Sequence, residues 1–252
     1  VSLNVFSFWY WLLGRVSRFG FELRPVASIP EATPEELALI EAVKPFTMTS
    51  VERLWSTLIS ARYVARNAIE GAFVECGVWR GGQSALAATV FLKENALRDL
   101  WLFDTFAGMT APTELDVNLF GQSSRETYER SRKGDASQWC YASLDEVRET
   151  MRKTGYPSDK VHFVKGPVES TLRGENLPDP IAVLRLDTDW YESTRDEMEI
   201  LYPRLASGGV LMIDDYGHFA GARRAVDEYF AARNVTPLLQ PMDYSGRIYV
   251  KP

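Results

Sequence analysis

Cysteine is scarce in this chain. Cys76 and Cys140 are the only two in 252 residues, too few for a disulfide framework and not arranged as C-x-x-C. Both read as packing residues rather than nucleophiles, and a reducing cytoplasm is the natural setting. Positive charge is also short. Twenty-eight Lys and Arg stand against thirty-four Asp and Glu, a net charge of -6, and the arginines scatter without forming a basic face, which argues against a nucleic-acid partner. No apolar run is long enough to span a bilayer. The nearest candidate, Val5 to Leu13, is rich in aromatics on every face, with no basic segment before it and no small-residue cleavage site after it. A signal peptide is therefore not expected. Internal repeats and low-complexity tracts are missing, and so is the G-x-G-x-x-G fingerprint of dinucleotide enzymes. What remains is a globular composition, 46% hydrophobic and 25% charged, enough for one large or two small domains.

The chain is organised around residues 181–216. An apolar run from Ile181 to Leu186, broken only by Arg185, stops abruptly at Asp187-Thr188-Asp189. A helical stretch and Ser207-Gly208-Gly209 follow, and a second apolar run, Val210 to Ile213, stops at Asp214-Asp215. The two stops are about one strand–helix–strand unit apart. Parallel strands joined by a crossover helix end on the same edge of their sheet, so these carboxylates should gather in one crevice. Oxygen ligands alone, with neither His nor Cys, are what Mg2+ or Ca2+ prefers. Either motif by itself would be an ordinary Asp-rich turn; both together, at this spacing, point to a metal site.

Upstream, the aromatic run at 5–13 needs burial, on the same chain or on a sister subunit, in preference to membrane contact. Pro25 to Ala32 reads as an extended linker. Thr33-Pro34-Glu35-Glu36 caps a helix ending before Pro45, and Thr47 to Ser50 cap a longer one from Val51 to about Ala68. Residues 1–70 are thus expected to form a helical accessory layer on an α/β core spanning 71–252. The core opens with Ala72 to Cys76, the turn Gly77-Val78-Trp79-Arg80-Gly81-Gly82 and a helix from Gln83 to Lys93. A second strand, Leu100 to Phe103, ends at Asp104, at the distance where a mononucleotide half-domain places its ribose carboxylate. The turn and this aspartate together point to an adenosine-type ligand. Residues 107–143 are polar and loop-rich, as a lid or substrate-binding insertion would be. Ser143 caps another helix, Val161 to Lys165 is the third strand, and Pro237–Leu239 with Arg247–Val250 should close the sheet as an antiparallel pair.

The runs FVECGVWRGGQS, LFDTF, LRLDTDWYEST and GGVLMIDDY, with FTMTSVERL upstream, resemble the macrocin and mycinamicin sugar O-methyltransferase family from about Arg18 to the C-terminus. More distantly, the paired strand-end acids are similar to those of catechol-type O-methyltransferases. The resemblance implies a class I methyltransferase (Rossmann-like) α/β fold: a seven-stranded, mostly parallel sheet with helices on both faces. It implies dependence on S-adenosylmethionine and Mg2+, and a glycosylated small-molecule acceptor of natural-product biosynthesis. It further implies that Glu75, Gly77 and Gly81 line the methionine side of the cofactor and that Asp104 holds its ribose. Met48, Ser50, Ser84, Phe106 and Gly166 carry over as cofactor neighbours, and Asp187, Asp214 and Asp215 as metal ligands. A homo-oligomer is the expected assembly.

The chemistry of the residues agrees with this. Methyl transfer from a sulfonium is an in-line displacement, so alignment and an activated nucleophile are the main tasks. A carboxylate beside the metal can take the hydroxyl proton; Asp187 is the first choice and His218, on the rim of the crevice, the second. Three other classes compete. A metal-dependent glycosyltransferase would use D-x-D without needing the glycine turn and ribose acid. A nicotinamide dehydrogenase would need the missing fingerprint. A non-catalytic cofactor-binding subunit would gain nothing from like charges gathered in a crevice. A phenolic acceptor is the alternative within methyl transfer itself.

Overall fold

The parallel strands form where the sequence offers apolar runs that alternate with helices. In the computed structural model, which describes residues 29–134 and 136–252, they are β1 (Ala72–Cys76), β2 (Leu100–Asp104), β5 (Val161–Lys165), β6 (Ile181–Leu186) and β7 (Leu205–Ile213). β1 and β6 are buried at every residue, which explains why they read as continuous rather than alternating apolar runs. The sheet order is β5-β2-β1-β6-β7-β9-β8. β9 (Arg247–Val250) runs antiparallel to β7, and β8 (Gln240–Pro241) antiparallel to β9. The closing pair expected from the sequence is present, with its first strand shifted from 237–239 to Gln240–Pro241. The chain winds outward in both directions from β1, so the switch point lies between β1 and β6.

Helices cover both faces. Two capping boxes begin α1 (Pro34–Val43) and α5 (Leu144–Lys153): Thr33 with Glu36, and Ser143 with Glu146, each satisfying otherwise unpaired N–H groups at the helix start. Ser50 caps α2 (Val51–Arg66), and Gly81, at φ +85°, leads into α3 (Gly82–Lys93). α1 and α2 pack against α3 and belong to the same compact unit as the sheet, Thr33–Pro252. The side chains of Ala72, Val74, Cys76, Leu184, Leu186, Leu211 and Ile213 join one core with the short α6 (Val168–Thr171), α7 (Tyr191–Ile200) and α8 (Ala220–Ala231) through Val168, Met198, Val226, Tyr229 and Phe230. By strand alternation, Phe73, Glu75, Arg185 and Met212 face the other way, toward α2 and α3. There the Phe73 and Phe91 rings meet edge-on at 6.4 Å. The aromatic run at 5–13 lies outside the described residues, and among those residues no helix is long and apolar enough to cross a membrane.

The insertion at 107–143 is ordered around a short α4 (Arg125–Ser131) and a two-residue antiparallel pair, β3 (Arg132–Lys133) with β4 (Ala136–Ser137). Its anchors reach the segments that follow both acidic motifs. Asp116, fully buried, accepts hydrogen bonds from the Thr113 N–H (2.6 Å), the Thr113 hydroxyl (2.8 Å) and the Tyr191 N–H at the start of α7 (2.8 Å). Trp190 Nε1 donates to Thr110 O at 3.1 Å, and Ala220 N–H at the start of α8 donates to Val117 O at 2.9 Å.

On α7, Glu197 is fully buried. Its Oε1 accepts from the Thr188 hydroxyl at 3.0 Å, while Oε2 has no partner among the described residues. Burial pushes its pKa well above the ordinary carboxyl range, with Thr188 opposing and nearby Glu169 adding to the rise. The fold thus favours the protonated form. That contribution is complete below the unfolded carboxyl pKa of about 4.3 and is lost as pH rises, by up to about 1.4 kcal/mol per pH unit. Glu197→Gln should therefore gain on the wild type in melting temperature as pH rises above about 5. A pH-independent gap between the two proteins would show that Glu197 is ionised in the fold.

Candidate active site

Four parallel strands deliver acids to one edge. β2 ends at Asp104; β1 carries Glu75 just before Gly77; β6 runs into Asp187 and β7 into Asp214-Asp215. Beyond these strand ends lies a cleft of about 370 Å³, lined by all five of these carboxyl side chains with Asp189 beside them. The strand ends are pulled tightly together. Asp187 N–H donates to Cys76 O at 2.8 Å and Asp214 N–H to Leu186 O at 2.9 Å. At Gly77, φ is +81° and a Cβ would stand 1.9 Å from Asp187 O, so only glycine fits between β1 and the Asp187 turn.

The acids divide between two neighbourhoods. Asp187, Asp214 and Asp215 each offer one carboxylate oxygen, and these atoms lie within 4.8 Å of one another. Asp215 Oδ2 is buried with no hydrogen-bond partner among the described residues. Burial, then the neighbouring Asp189 and Asp187, push the Asp215 carboxyl well above its ordinary pKa. Asp214 is raised to about 7 by burial and by Asp187, against Arg185 and Arg53, and Asp189 to about 7, chiefly by burial. An orphaned buried oxygen and a surplus of carboxylates over cations are what a hard divalent ion would satisfy. The donor set fits Mg2+.

The second neighbourhood lies over β1 and β2. Glu75 Oε2 accepts from the Ser84 hydroxyl and Oε1 from Arg185 Nη1 at 2.9 Å; burial lifts its carboxyl to about 7. Asp104 is held by the turn it faces. Oδ2 accepts from the N–H groups of Val78 (2.7 Å) and Trp79 (3.0 Å), and Oδ1 from that of Phe106 (2.7 Å). Burial nonetheless raises its pKa. Oδ2 is filled by its two N–H donors and Oδ1 keeps one lone pair for a ligand hydroxyl, so Asp104 both fixes the glycine turn and faces the cleft. An acid able to hold an ammonium and another able to accept from a hydroxyl, at adjacent strand ends, match the two polar ends of an aminoacyl-nucleoside ligand.

The remaining sequence candidates separate into two groups. Met48, Gly77, Gly166 and His218 line the cleft. Ser50, Gly81, Ser84 and Phe106 stand behind its wall. Ser50 caps α2 and donates to Asp243 Oδ2 at 2.6 Å; Ser84 acts through Glu75; Gly81 packs toward Val147; Phe106 stacks edge-on to Phe163 at 6.4 Å. His218 Nδ1 lies 3.2 Å from the Tyr244 hydroxyl, and burial together with the Arg53 charge lowers its pKa, keeping the ring neutral. On the insertion side, Trp139, Trp190 and Phe219 form an edge-to-face trio with centroid spacings of 5.7 and 5.2 Å.

Three residues of the site carry no motif of their own. Arg185, 1% exposed, spans Glu75 Oε1, Asp187 Oδ2 (2.7 Å) and Asp214 Oδ1 (2.5 Å). Arg53, on α2, donates from Nη1 to Asp214 Oδ2 and from Nε to Asp243 Oδ2 at 2.8 Å. Asp243 is the third.

Comparison with known proteins gives one consistent result. A family model described as macrocin-O-methyltransferase (TylF) matches residues 40–251. The chain is 32% identical over 218 residues to the 8-demethyl-8-(2,3-dimethoxy-alpha-L-rhamnosyl)-tetracenomycin-C 4'-O-methyltransferase of Streptomyces olivaceus, covering 86% of this chain and 80% of that one. It is 33% identical over 202 residues to the demethyldecarbamoylnovobiocin O-methyltransferase of Streptomyces niveus, covering 79% and 73%. Among solved structures, the O-methyltransferase NovP superposes with a TM-score of 0.69 at 31% identity over 82% of each chain. The architecture is the class I methyltransferase fold.

Proposed function

Because the chain belongs to the macrocin O-methyltransferase family, we propose that it moves the methyl group of S-adenosylmethionine to a sugar hydroxyl of a glycosylated natural product, with Mg2+ bound by Asp187, Asp214 and Asp215. The family assigns methyl transfer, so the glycosyltransferase reading of the D-x-D motif falls away. The observation that carries the metal assignment is the convergence of three strand-end carboxylates, one with an oxygen unpartnered among the described residues, in the cleft that also holds Glu75 and Asp104. The sugar acceptor is supported by the relatives, whose names record rhamnosyl-tetracenomycin and novobiocin substrates.

Bound Mg2+ would supply Lewis-acid polarisation and a template for the acceptor hydroxyl. The protein's own residues do the rest. Glu75 and Asp104 fix the two polar ends of the donor, setting the sulfonium methyl toward the acid cluster. Asp187 Oδ2 is held by Arg185, which leaves Oδ1 to take the hydroxyl proton. The oxygen then attacks the methyl carbon, the C–O bond forms as the S–C bond breaks, and the sulfur leaves as the neutral thioether. His218, neutral and on the rim, orients the acceptor or accepts the proton onward. Trp139 and Phe219 offer the sugar or its aglycone an aromatic wall.

Chelation tests this reading. With excess EDTA, methyl transfer to a panel of glycosides and phenols, followed by mass spectrometry, should fall to background, while calorimetric affinity for S-adenosylmethionine stays within about twofold, since the acids that face the donor are separate from the metal set. Full-rate turnover in EDTA would reduce the three aspartates to bases or scaffolding.

A further inference from the structure

Arg53 is placed where two anions compete for it. Its N–H caps onto Ser50 Oγ at 3.2 Å, which fixes the first turn of α2. The side-chain stem passes Gly246 so closely that a Cβ there would stand 3.1 Å from Arg53 Cδ. Nε is clamped on Asp243 Oδ2, the same oxygen that accepts from Ser50 Oγ at 2.6 Å. Asp243 Oδ1 is fixed in turn by the N–H groups of Ser245 (2.9 Å) and Gly246 (2.8 Å). Asp243 is therefore a rigid anion outside the metal cluster. The other end of the guanidinium, Nη1, lies on Asp214 Oδ2 and lines the cleft.

The two arginines at Asp214 are not equivalent. Arg185 is enclosed by three carboxylates and has no other ion-pair partner among the described residues. Arg53 has one partner inside the cluster and one outside it, with 11% of its side chain exposed. A unit charge against Asp214 offsets part of the repulsion among Asp187, Asp214 and Asp215, and it repels any second cation that arrives there. We propose that Arg53 is a built-in competing cation of the metal site: clamped by Asp243, it neutralises Asp214 until a divalent ion takes Asp214 Oδ2 from it, after which Asp243 retains the guanidinium. This rests on the Mg2+ reading above and adds to it a residue that sets metal affinity by opposition.

The competing role and a scaffolding role give opposite signs. If Arg53 competes, Arg53→Met tightens Mg2+ binding by about threefold to tenfold in calorimetry, because one repelling charge leaves the site. In EDTA the same variant melts below the wild type, and saturating Mg2+ narrows that gap. Asp243→Asn acts in the reverse sense: the guanidinium, released from its outside anion, stays on Asp214 and weakens Mg2+ binding by a few fold. Arg53→Met binding Mg2+ no better than wild type would overturn the proposal. Should that variant fail to fold, Asp243→Asn with unchanged or tighter affinity overturns it equally. Wild-type protein that does not bind Mg2+ at all ends the metal reading itself, an outcome separate from a sign error in the variants.

Discussion

Asp187→Asn is expected to lower kcat by about a thousandfold or more, while S-adenosylmethionine binds within about twofold of wild type. On the proposed mechanism the substitution removes one negative charge from the three carboxylates that would hold the metal, and with it the proposed proton acceptor. It leaves the backbone in place: the Asp187 N–H still donates to Cys76 O, and the amide oxygen can still accept from Arg185 Nη1. Gly77 continues to sit against the Asp187 carbonyl, so the turn geometry is kept. Because Glu75 and Asp104 are untouched, the donor side should be intact, and the loss should appear in kcat rather than in cofactor affinity. Steady-state methyl transfer and calorimetry on the same preparation separate the two. Retained turnover would remove Asp187 from the chemistry; a parallel collapse of donor binding would mean the two neighbourhoods are one.

Much of this was legible because of how parallel sheets are built. Strands buried on both faces are nearly continuous apolar runs, so β1, β6 and the second half of β7 announce themselves, and the polarity that ends them has only the carboxyl edge to occupy. The convergence of Asp187 with Asp214 and Asp215 follows from that topology. Helix starts were equally plain at Thr33 and Ser143, where cap and acid are three residues apart. Arg185 was the harder case. In the sequence it only interrupts an apolar run, although its position two residues before Asp187 puts both on one face of the strand. That it pairs across to Glu75 depends on the register of β1 with β6, which no local pattern specifies. Arg53 and Asp243 lie 190 residues apart, one in a helix whose periodicity reports only its buried stripe, the other in a loop between two short strands. The hydrogen bonds that tie Asp104 to its own turn were hidden for a different reason. A strand-end aspartate reads the same whether its oxygens meet a ligand or the N–H groups of its own turn.

Arg185→Met should destabilise the protein by about 3–5 kcal/mol, the cost of leaving buried carboxylates without their cation. Replacing a whole buried ion pair with apolar groups is often harmless, but here one cation serves three acids, so its loss leaves Glu75 and Asp187 without a cation and Asp214 with Arg53 alone. Lysine should rescue little, because one ammonium cannot reproduce a planar fork reaching separate strand ends. Two repairs should work in part. Saturating Mg2+, which binds only the folded cluster, should return about 2.7 kcal/mol at a hundredfold excess over its dissociation constant. Glu75→Gln in the same background should recover a further share by removing one stranded charge, a coupling that a double-mutant cycle measures. Urea unfolding of the wild type, Arg185→Met, Arg185→Lys, Glu75→Gln and the Arg185→Met/Glu75→Gln double variant, with and without Mg2+, reads all of these terms. If Arg185→Met unfolds at the wild-type midpoint, desolvation of the arginine already cancels its ion pairs, and the charge balance at the carboxyl edge rests on Arg53 and the metal alone.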